Sequence, residues 1–344
     1  MSRVLNISNL GFFYVEKKIE MQAKGRLSKY ITNQDLKTKG YCIIKSAVND
    51  ETVQDIINCL AKDLHNLGTN INFFDAKTHT NDRWPQSYNG LIQSHGSGHW
   101  DSSWLARKAC RKVWSNLYNC DEKDLLSSFD GVSIVRPKTQ AAFYKSTDKD
   151  GLPKWFHRDQ KMSNKKACDC VQGVLNLSTV REGEHSTILM VPRTTIQDLT
   201  NKFYDRFFDP SQYSKNDHDW HNFSQDELSF LKEHCDIVKP NLDPGDMLLW
   251  LSCIPHAAAP GFSSSPRNMR IAMFNAMIPR QLVNDRVLKK RKRIANTGLT
   301  TTHNVFDPIL FKYINGNHPV IFKPHIPKVY DDNTEEEIKD LIGY

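Results

Sequence analysis

The chain has 344 residues, 39% of them hydrophobic and 25% charged, which excludes a disordered chain and allows a sizeable core. Its formal charge is +7, yet Arg286–Arg293 (RVLKKRKR) holds six cations and no acid, so the remainder is near neutral and does not read as a general polyanion-binding surface. No stretch reaches the roughly 18 uninterrupted apolar residues of a membrane span, and the first residues lack a secretory apolar run. Cysteines 42, 59, 110, 120, 168, 170, 235 and 253 are scattered and read as reduced thiols of an intracellular protein. Cys168 and Cys170 are close but lack the second pair that a zinc site needs.

The first 35 residues are polar and suggest no regular element. Gly40–Lys45 reads as a short strand. Asn49 or Asp50 then caps a helix whose Val53, Ile56, Ile57, Leu60, Leu64 and Leu67 keep the 3.6-residue period until Gly68. Residues 69–98 read as a long surface segment. Asp101-Ser-Ser caps a second helix, reaching about Tyr118, which buries Trp104, Leu105, Val113, Trp114 and Leu117 and sends Arg107, Lys108, Arg111 and Lys112 into solvent. Trp84, Trp100, Trp104 and Trp114 read as packing anchors rather than base-stacking platforms.

From Leu125 the texture changes to strand-length apolar runs between turn signals: 126–135, 141–144, 170–177, 187–191, 247–251 and 270–278. Such a series suggests a sandwich or jelly roll. Residues 196–236 read as a polar insertion, with Ser224–Glu227 opening a short helix as a capping box. The basic block falls on a helix, and Thr334–Leu341 is a helical tail.

The chemistry-bearing residues are few. Trp155-Phe-His157-Arg-Asp159-Gln160 places an imidazole and a carboxylate at i and i+2, which project to one side of an extended backbone. Ninety-nine residues after His157, Pro244-Gly-Asp-Met-Leu-Leu-Trp250 leads through a turn and a strand to His256 at the strand's far end. Two histidines and one carboxylate form the facial triad of non-haem Fe(II) oxygenases, with open positions for a 2-oxo acid and dioxygen. Arg270, fourteen residues after His256, is the natural bidentate partner for that acid's remote carboxylate, and Arg267 is a second candidate. Another HxD, His99-Trp-Asp101, reads as a loop running into a helix cap.

The ordered set resembles the phytanoyl-CoA dioxygenase family of Fe(II)/2-oxoglutarate-dependent oxygenases, nearest its uncharacterised fungal and microbial branch. The resemblance runs through Ser128–Ile134, Trp155–Gln160, Val171–Leu177, Ile188–Pro192, Pro244–Trp250, His256, Arg270 and Thr301-Thr-His303. It implies a mainly β chain with flanking helices on a cupin-like double-stranded β-helix, or jelly-roll, core. It further implies Fe(II) held by His157, Asp159 and His256, 2-oxoglutarate held by Arg270 (Arg267 in some relatives), and ascorbate as a reductant. The implied reaction hydroxylates an unactivated C–H of a small molecule and releases succinate and CO2. Asp159, where a halogenase frees the position for halide, points to hydroxylation. Two departures from the family pattern, Arg193-Thr-Thr after Pro192 and Ala257–Ala259 after His256, bear on the substrate.

Gln160, Gln172 and Asn176 are candidate hydrogen-bond donors around the metal ligands. In the insertion, Tyr213, His218, Trp220 and His221 are candidates for a lid, and Asp217-His-Asp219 reads as a wet surface loop. The whole chain reads as one catalytic domain, with a helical region 36–125, a core 126–280 containing the insertion, and a basic extension 281–344. The expected location is cytoplasmic, with nuclear import through Lys289–Arg293 as an alternative. The rival readings are a same-fold oxygenase acting on nucleic acid or protein through residues 286–293, and a binding protein that keeps the fold without turnover.

Overall fold

In the computed structural model, which describes residues 30–137, 152–153, 155–162, 170–181, 186–209, 211, 219–259, 269–311 and 329–344, the first helix begins at the close of the polar stretch 1–35. Asn33 accepts from Leu36 N at 2.9 Å to start α1 (Gln34–Lys39), and Gly40 ends it at φ 80°. Strand β1 (Tyr41–Ile44) follows, and then α2 (Asp50–Asn66), capped by Asn49. The segment 69–98 is not simply surface. Ile71, Phe73 and Trp84 in it are buried, and it carries β2 (Leu91–Ile92).

Helix α3 (Asp101–Tyr118) corrects two expectations. Asp101 is its first residue and not its cap; the cap position, Trp100, offers no side-chain bond. Asp63 of α2 takes that role, its Oδ2 accepting from Ser102 N at 3.0 Å. Nor do Arg107 and Arg111 reach solvent. Arg107 donates to Gly98 O (2.6 Å) and Asp130 O (2.8 Å), and Arg111 to Glu122 O and Asp340. Burying a guanidinium needs such acceptors, and a helical period does not report them.

The strands follow: β3 (Leu125–Ser127), β4 (Val132–Val135), β5 (His157–Arg158), β6 (Val171–Asn176) and β7 (Ser186–Pro192). Next come α4 (Ile196–Phe207), β8 (His221–Asn222), α5 (Gln225–His234), β9 (Cys235–Val238), β10 (Met247–Leu251) and β11 (His256–Ala259). The described chain ends through β12 (Arg270–Phe274), β13 (Met277–Pro279), α6 (Asp285–Ala295) and α7 (Glu336–Ile342). Two expected runs are therefore each split in two. Asn275, whose side chain accepts from Trp114 Nε1 at 2.7 Å, sits at one of the breaks. The run 141–144 lies outside the described residues.

Six strands form one sheet, ordered β1-β10-β6-β12-β4-β2, and five form a second, β8-β5-β11-β7-β9. Strands β13 and β3 pair separately, and the pairings are antiparallel. The molecule is thus a mixed structure of helices and antiparallel sheets. Helix α3 lies on the first sheet at Gly173, where a Cβ would come within 2.9 Å of Trp114 and 2.7 Å of Met247. The alternate residues of the sheet, Gln172, Trp250 and Arg270 among them, face the second sheet.

The insertion is not a polar excursion. Helices α4 and α5 pack Leu199, Phe203, Phe230 and Leu231 against the outer face of the five-stranded sheet, meeting Phe156, Ile188, Met190 and Ala257. The capping box is present: Ser224 accepts from Glu227 N, and Glu227 accepts from Ser224 N. Asp219 is buried and not on a wet loop, with Thr302 Oγ1 donating to it at 2.7 Å. Tyr213, Asp217 and His218 lie outside the described residues; Trp220 is 40% exposed. Among the described residues no helix is long and apolar enough to cross a membrane, and the seven described cysteines form no disulfide; Cys168 lies outside them.

The basic block does lie on a helix, α6, but its cations differ in fate. Arg286, Lys289 and Arg293 are exposed, Lys290 pairs with Asp307, and Lys292 lies over the Tyr344 ring. Arg291 is fully buried and donates to the carbonyls of Ser127, Val305, Leu341 and Ile342.

Candidate metal centre

Strand alternation sorts the tripeptide His157-Arg158-Asp159. His157 and Asp159 turn inward between the sheets. Arg158 turns outward, donating to Tyr204 Oη of α4 at 2.6 Å and to Lys161 O at 3.0 Å, with its guanidinium over the Tyr204 ring. That outer grip fixes the strand from which the two ligand candidates project. His256 corrects an expectation: it does not end the Met247–Leu251 strand but opens β11 in the other sheet. There it pairs directly with His157 across β5 and β11. Opposed residues of an antiparallel pair share a face with Cβ atoms about 5 Å apart. The two imidazoles accordingly lie 4.4 Å apart, centroid to centroid.

His157, Asp159 and His256 offer one ligand atom each, all within 4.8 Å of one another. His256 Nε2 is 3.1 Å from Asp159 Oδ2, and His157 Nε2 is 3.6 Å from Asp159 Oδ1. Two adjacent donors at metal–ligand distances of ~2.1 Å would stand ~3 Å apart, so this spacing suits one ion. The tautomers suit it as well. His157 Nδ1 lies 3.2 Å from Trp155 O and His256 Nδ1 3.0 Å from Ile254 O. A carbonyl can only accept, so each Nδ1 donates to its backbone oxygen, and each Nε2 is the ring atom left facing Asp159.

Burial would raise the Asp159 carboxyl, but the imidazoles of His303, His256 and His157 outweigh it and hold the group well below the usual carboxylate range. Burial, assisted by the neighbouring His256, lowers His157 to about 4. Both groups are thus in their deprotonated, ligating forms at neutral pH. Trp155 stacks on the His157 ring at 4.9 Å, and Tyr88, 67% exposed, meets Trp155 edge-on at 6.1 Å.

Of the three candidate donors, Gln172 reaches the centre: its Nε2 donates to Asp159 Oδ2 at 2.8 Å. Gln160 accepts from Ser252 Oγ at 2.8 Å, and Asn176 donates to Ser178 O and Asp243 O, bracing turns away from the ligands. The aspartate of Pro244-Gly-Asp is likewise structural. Buried Asp246 accepts from Lys45 Nζ, Ser46 N and Asp243 N. The second HxD does not converge: His99 bonds Tyr330 Oη at 2.7 Å while Asp101 begins α3.

Arg270 projects from β12 between the sheets. It donates to Ser133 Oγ (3.2 Å) on β4 and Thr187 Oγ1 (2.8 Å) on β7. Thr187 lies two residues from Leu189, the register partner of His256, so the guanidinium shares the interior face with the triad. Burial lowers Arg270 to about 10, and among the described residues no carboxylate compensates it. Its Nε, Gln172 Oε1 and Trp250 Nε1 are buried without a hydrogen-bond partner in the described structure. Arg267 lies outside the described residues.

Two side chains take roles that the sequence does not signal. Asp219, in a stretch that reads as a wet loop, is buried against Thr302. His303 has its Nδ1 4.0 Å from Asp159 Oδ1. Burial opposes its charge, but Asp159 outweighs this and raises His303 well above the ordinary histidine value. Neither contact has a short-range sequence signal, since the partners lie over 80 residues apart.

No family model matches the chain. It is 28% identical over 278 residues to the Ava biosynthesis cluster protein O of Aspergillus versicolor, covering 77% of this chain and 82% of that protein. Among solved structures it is similar to SnoK, a non-heme alpha-ketoglutarate-dependent carbocyclase from nogalamycin biosynthesis, at 12% identity and a TM-score of 0.41 over 70% of this chain and 80% of that one. It is also similar to the epimerase SnoN in complex with Fe3+, alpha-ketoglutarate and nogalamycin RO, at 10% identity and a TM-score of 0.42 over 71% of this chain and 80% of that one.

Proposed function

We propose that the chain is an Fe(II)- and 2-oxoglutarate-dependent oxygenase, a hydroxylase of a small molecule, built as one catalytic domain on a jelly-roll core. The observation that carries the reading is the converging set itself. His157, Asp159 and His256 bring one ligand atom each to within 4.8 Å of the others, with both Nε2 atoms turned inward, while a buried guanidinium without a carboxylate among the described residues shares their interior face. The strand orders support the jelly-roll reading, because the chain passes from sheet to sheet through β4, β5, β6 and β7, stays in the five-stranded sheet through β8 and β9, and passes back and forth again through β10, β11 and β12. The phytanoyl-CoA dioxygenase family remains the sequence pattern this arrangement fits best.

In this reading His157, Asp159 and His256 would hold the metal on the inward face between the sheets. Arg270, steadied by Ser133 and Thr187, binds the remote carboxylate of 2-oxoglutarate and so orients its other end toward that face. Gln172 fixes the Asp159 carboxylate, and the aliphatic and aromatic walls of the two sheets keep bulk water out. When bound, Fe(II) with 2-oxoglutarate and dioxygen supplies the oxidising power that hydroxylates a C–H, with succinate and CO2 as co-products.

The same geometry disfavours both rivals. A complete donor set with its positioning bonds is not what a scaffold needs, and Arg291 is unavailable to nucleic acid because it is buried. The test is succinate release from 2-oxoglutarate by the Fe(II)-loaded protein across a panel of small molecules. Turnover should be lost in His256→Ala; turnover that persists in that variant, or dependence on added nucleic acid alone, contradicts the reading.

A further inference from the structure

The segment Thr300–His303 reaches the centre from beyond α6, and each of its threonines is tied to a different part of the molecule. Thr300 Oγ1 accepts from Gly98 N at 3.1 Å, just before α3. Thr301 N donates to Phe129 O at 2.8 Å and Thr301 Oγ1 accepts from Phe129 N at 3.2 Å, between β3 and β4. Thr302 Oγ1 donates to Asp219 Oδ2 at 2.7 Å, beside β8. These anchors deliver the His303 imidazole, 8% exposed, to 4.0 Å from Asp159 Oδ1, where it also shares a hydrogen bond with the Cys170 thiol. Gln172 already occupies the other oxygen, Oδ2. The carboxylate is therefore faced on both edges, by side chains from β6 and from the C-terminal segment.

We infer that His303 is a positioning residue: with Gln172 it holds the Asp159 carboxylate in the orientation that turns Oδ2 toward His256 Nε2 and Oδ1 toward His157 Nε2. A carboxylate rotates about a soft terminal torsion, so a donor on one oxygen alone leaves swing that a second neighbour removes. Outer partners of ligating side chains typically change metal affinity 10- to 100-fold. His303 differs from an ordinary buried histidine in this: three consecutive backbone and hydroxyl anchors converge to place it over a ligand, while the segment itself makes no strand with either sheet. The inference rests on the reading of His157, Asp159 and His256 as the metal site.

Its test uses the full chain and Co(II) alone as probe, without 2-oxoglutarate or oxygen, read by visible d–d absorption and by titration. His303→Ala should bind Co(II) at least about 10-fold more weakly with an altered band. His303→Gln, which keeps a side-chain donor, should recover most of both, and the remote Lys289→Ala should match wild type. His303→Ala that binds Co(II) as wild type does, with the same band, overturns the inference and leaves the metal site intact. Wild type that binds no Co(II) sinks the metal-site reading itself. If His303→Ala does not fold, Thr302→Val, which removes the Asp219 anchor, decides instead: weakened Co(II) binding with an unchanged melting temperature supports the inference, and unchanged binding overturns it.

Discussion

Arg270 shows at the scale of one residue how burial becomes specificity. A guanidinium taken out of water costs several kcal/mol unless an anion compensates it, and two hydroxyls are weak compensation. Under the proposed function, the remote carboxylate of 2-oxoglutarate would relieve that shortfall. Arg270→Leu should therefore raise the dissociation constant of 2-oxoglutarate at least about 30-fold, read by titration with the metal bound, and Arg267→Ala should change it less than about 3-fold. The opposite order would move the carboxylate site to Arg267. His157, Asp159, His256 and Arg270 were legible because their spacings are short or ordered along the chain. Gln172 was legible as an inward polar residue, but its contact with Asp159 Oδ2 depends on the register of two sheets. His303 and Asp219 were not legible in role, because segments over 80 residues apart bring them to their partners.

Helices show the same division at the scale of the element. Boundaries set by local chemistry, such as the Asn49 cap and the Ser224 capping box, follow from sequence. The start of α3 does not, since its cap comes from Asp63 on another helix. That carboxyl is raised to about 6, mainly by burial, with the Ser102 hydrogen bonds opposing and Asp101 adding to the shift. A carboxyl raised in the folded state binds its proton more tightly there, so its contribution is greatest below the unfolded value near 4 and falls as pH rises to about 6. Asp63→Asn keeps an acceptor for Ser102 N and removes the titration. Urea melts from pH 4 to 6 should show wild type losing ~2–3 kcal/mol relative to this variant; a constant difference would show that Asp63 is not buried as described. Helix α6 poses the parallel case for a cation. Arg291 looks like its neighbours in sequence, yet it satisfies carbonyls of α7 fifty residues away. Arg291→Met should cost ~3 kcal/mol or more, and Lys289→Ala with Arg293→Ala less than ~0.5 kcal/mol each, by thermal or denaturant unfolding. Equal costs would return the whole block to the solvated face.

Two antiparallel sheets and their helices divide the work of the whole molecule. Helices α2 and α3 back the six-stranded sheet, α4 and α5 back the five-stranded one, and the polar residues that matter for chemistry point into the space between. The strands themselves were legible as a series of short apolar runs, but not the sheet that each one joins, which is set by pairing across the chain. The helical cover of the second sheet was not, because α4 and α5 are amphipathic and their polar faces dominate the composition of residues 196–236. That cover reaches the candidate metal centre through Arg158 and Tyr204, so the same strand presents its ligand candidates inward and its anchor outward. The whole arrangement makes sense if the inward set holds Fe(II) and a 2-oxo acid together. The most direct test is the visible metal-to-ligand charge-transfer band of the purified chain with Fe(II) and 2-oxoglutarate under anaerobic conditions. The band should appear in wild type and vanish in both His157→Ala and Asp159→Ala. No band in the wild-type protein, or an equal band in both variants, would contradict the account.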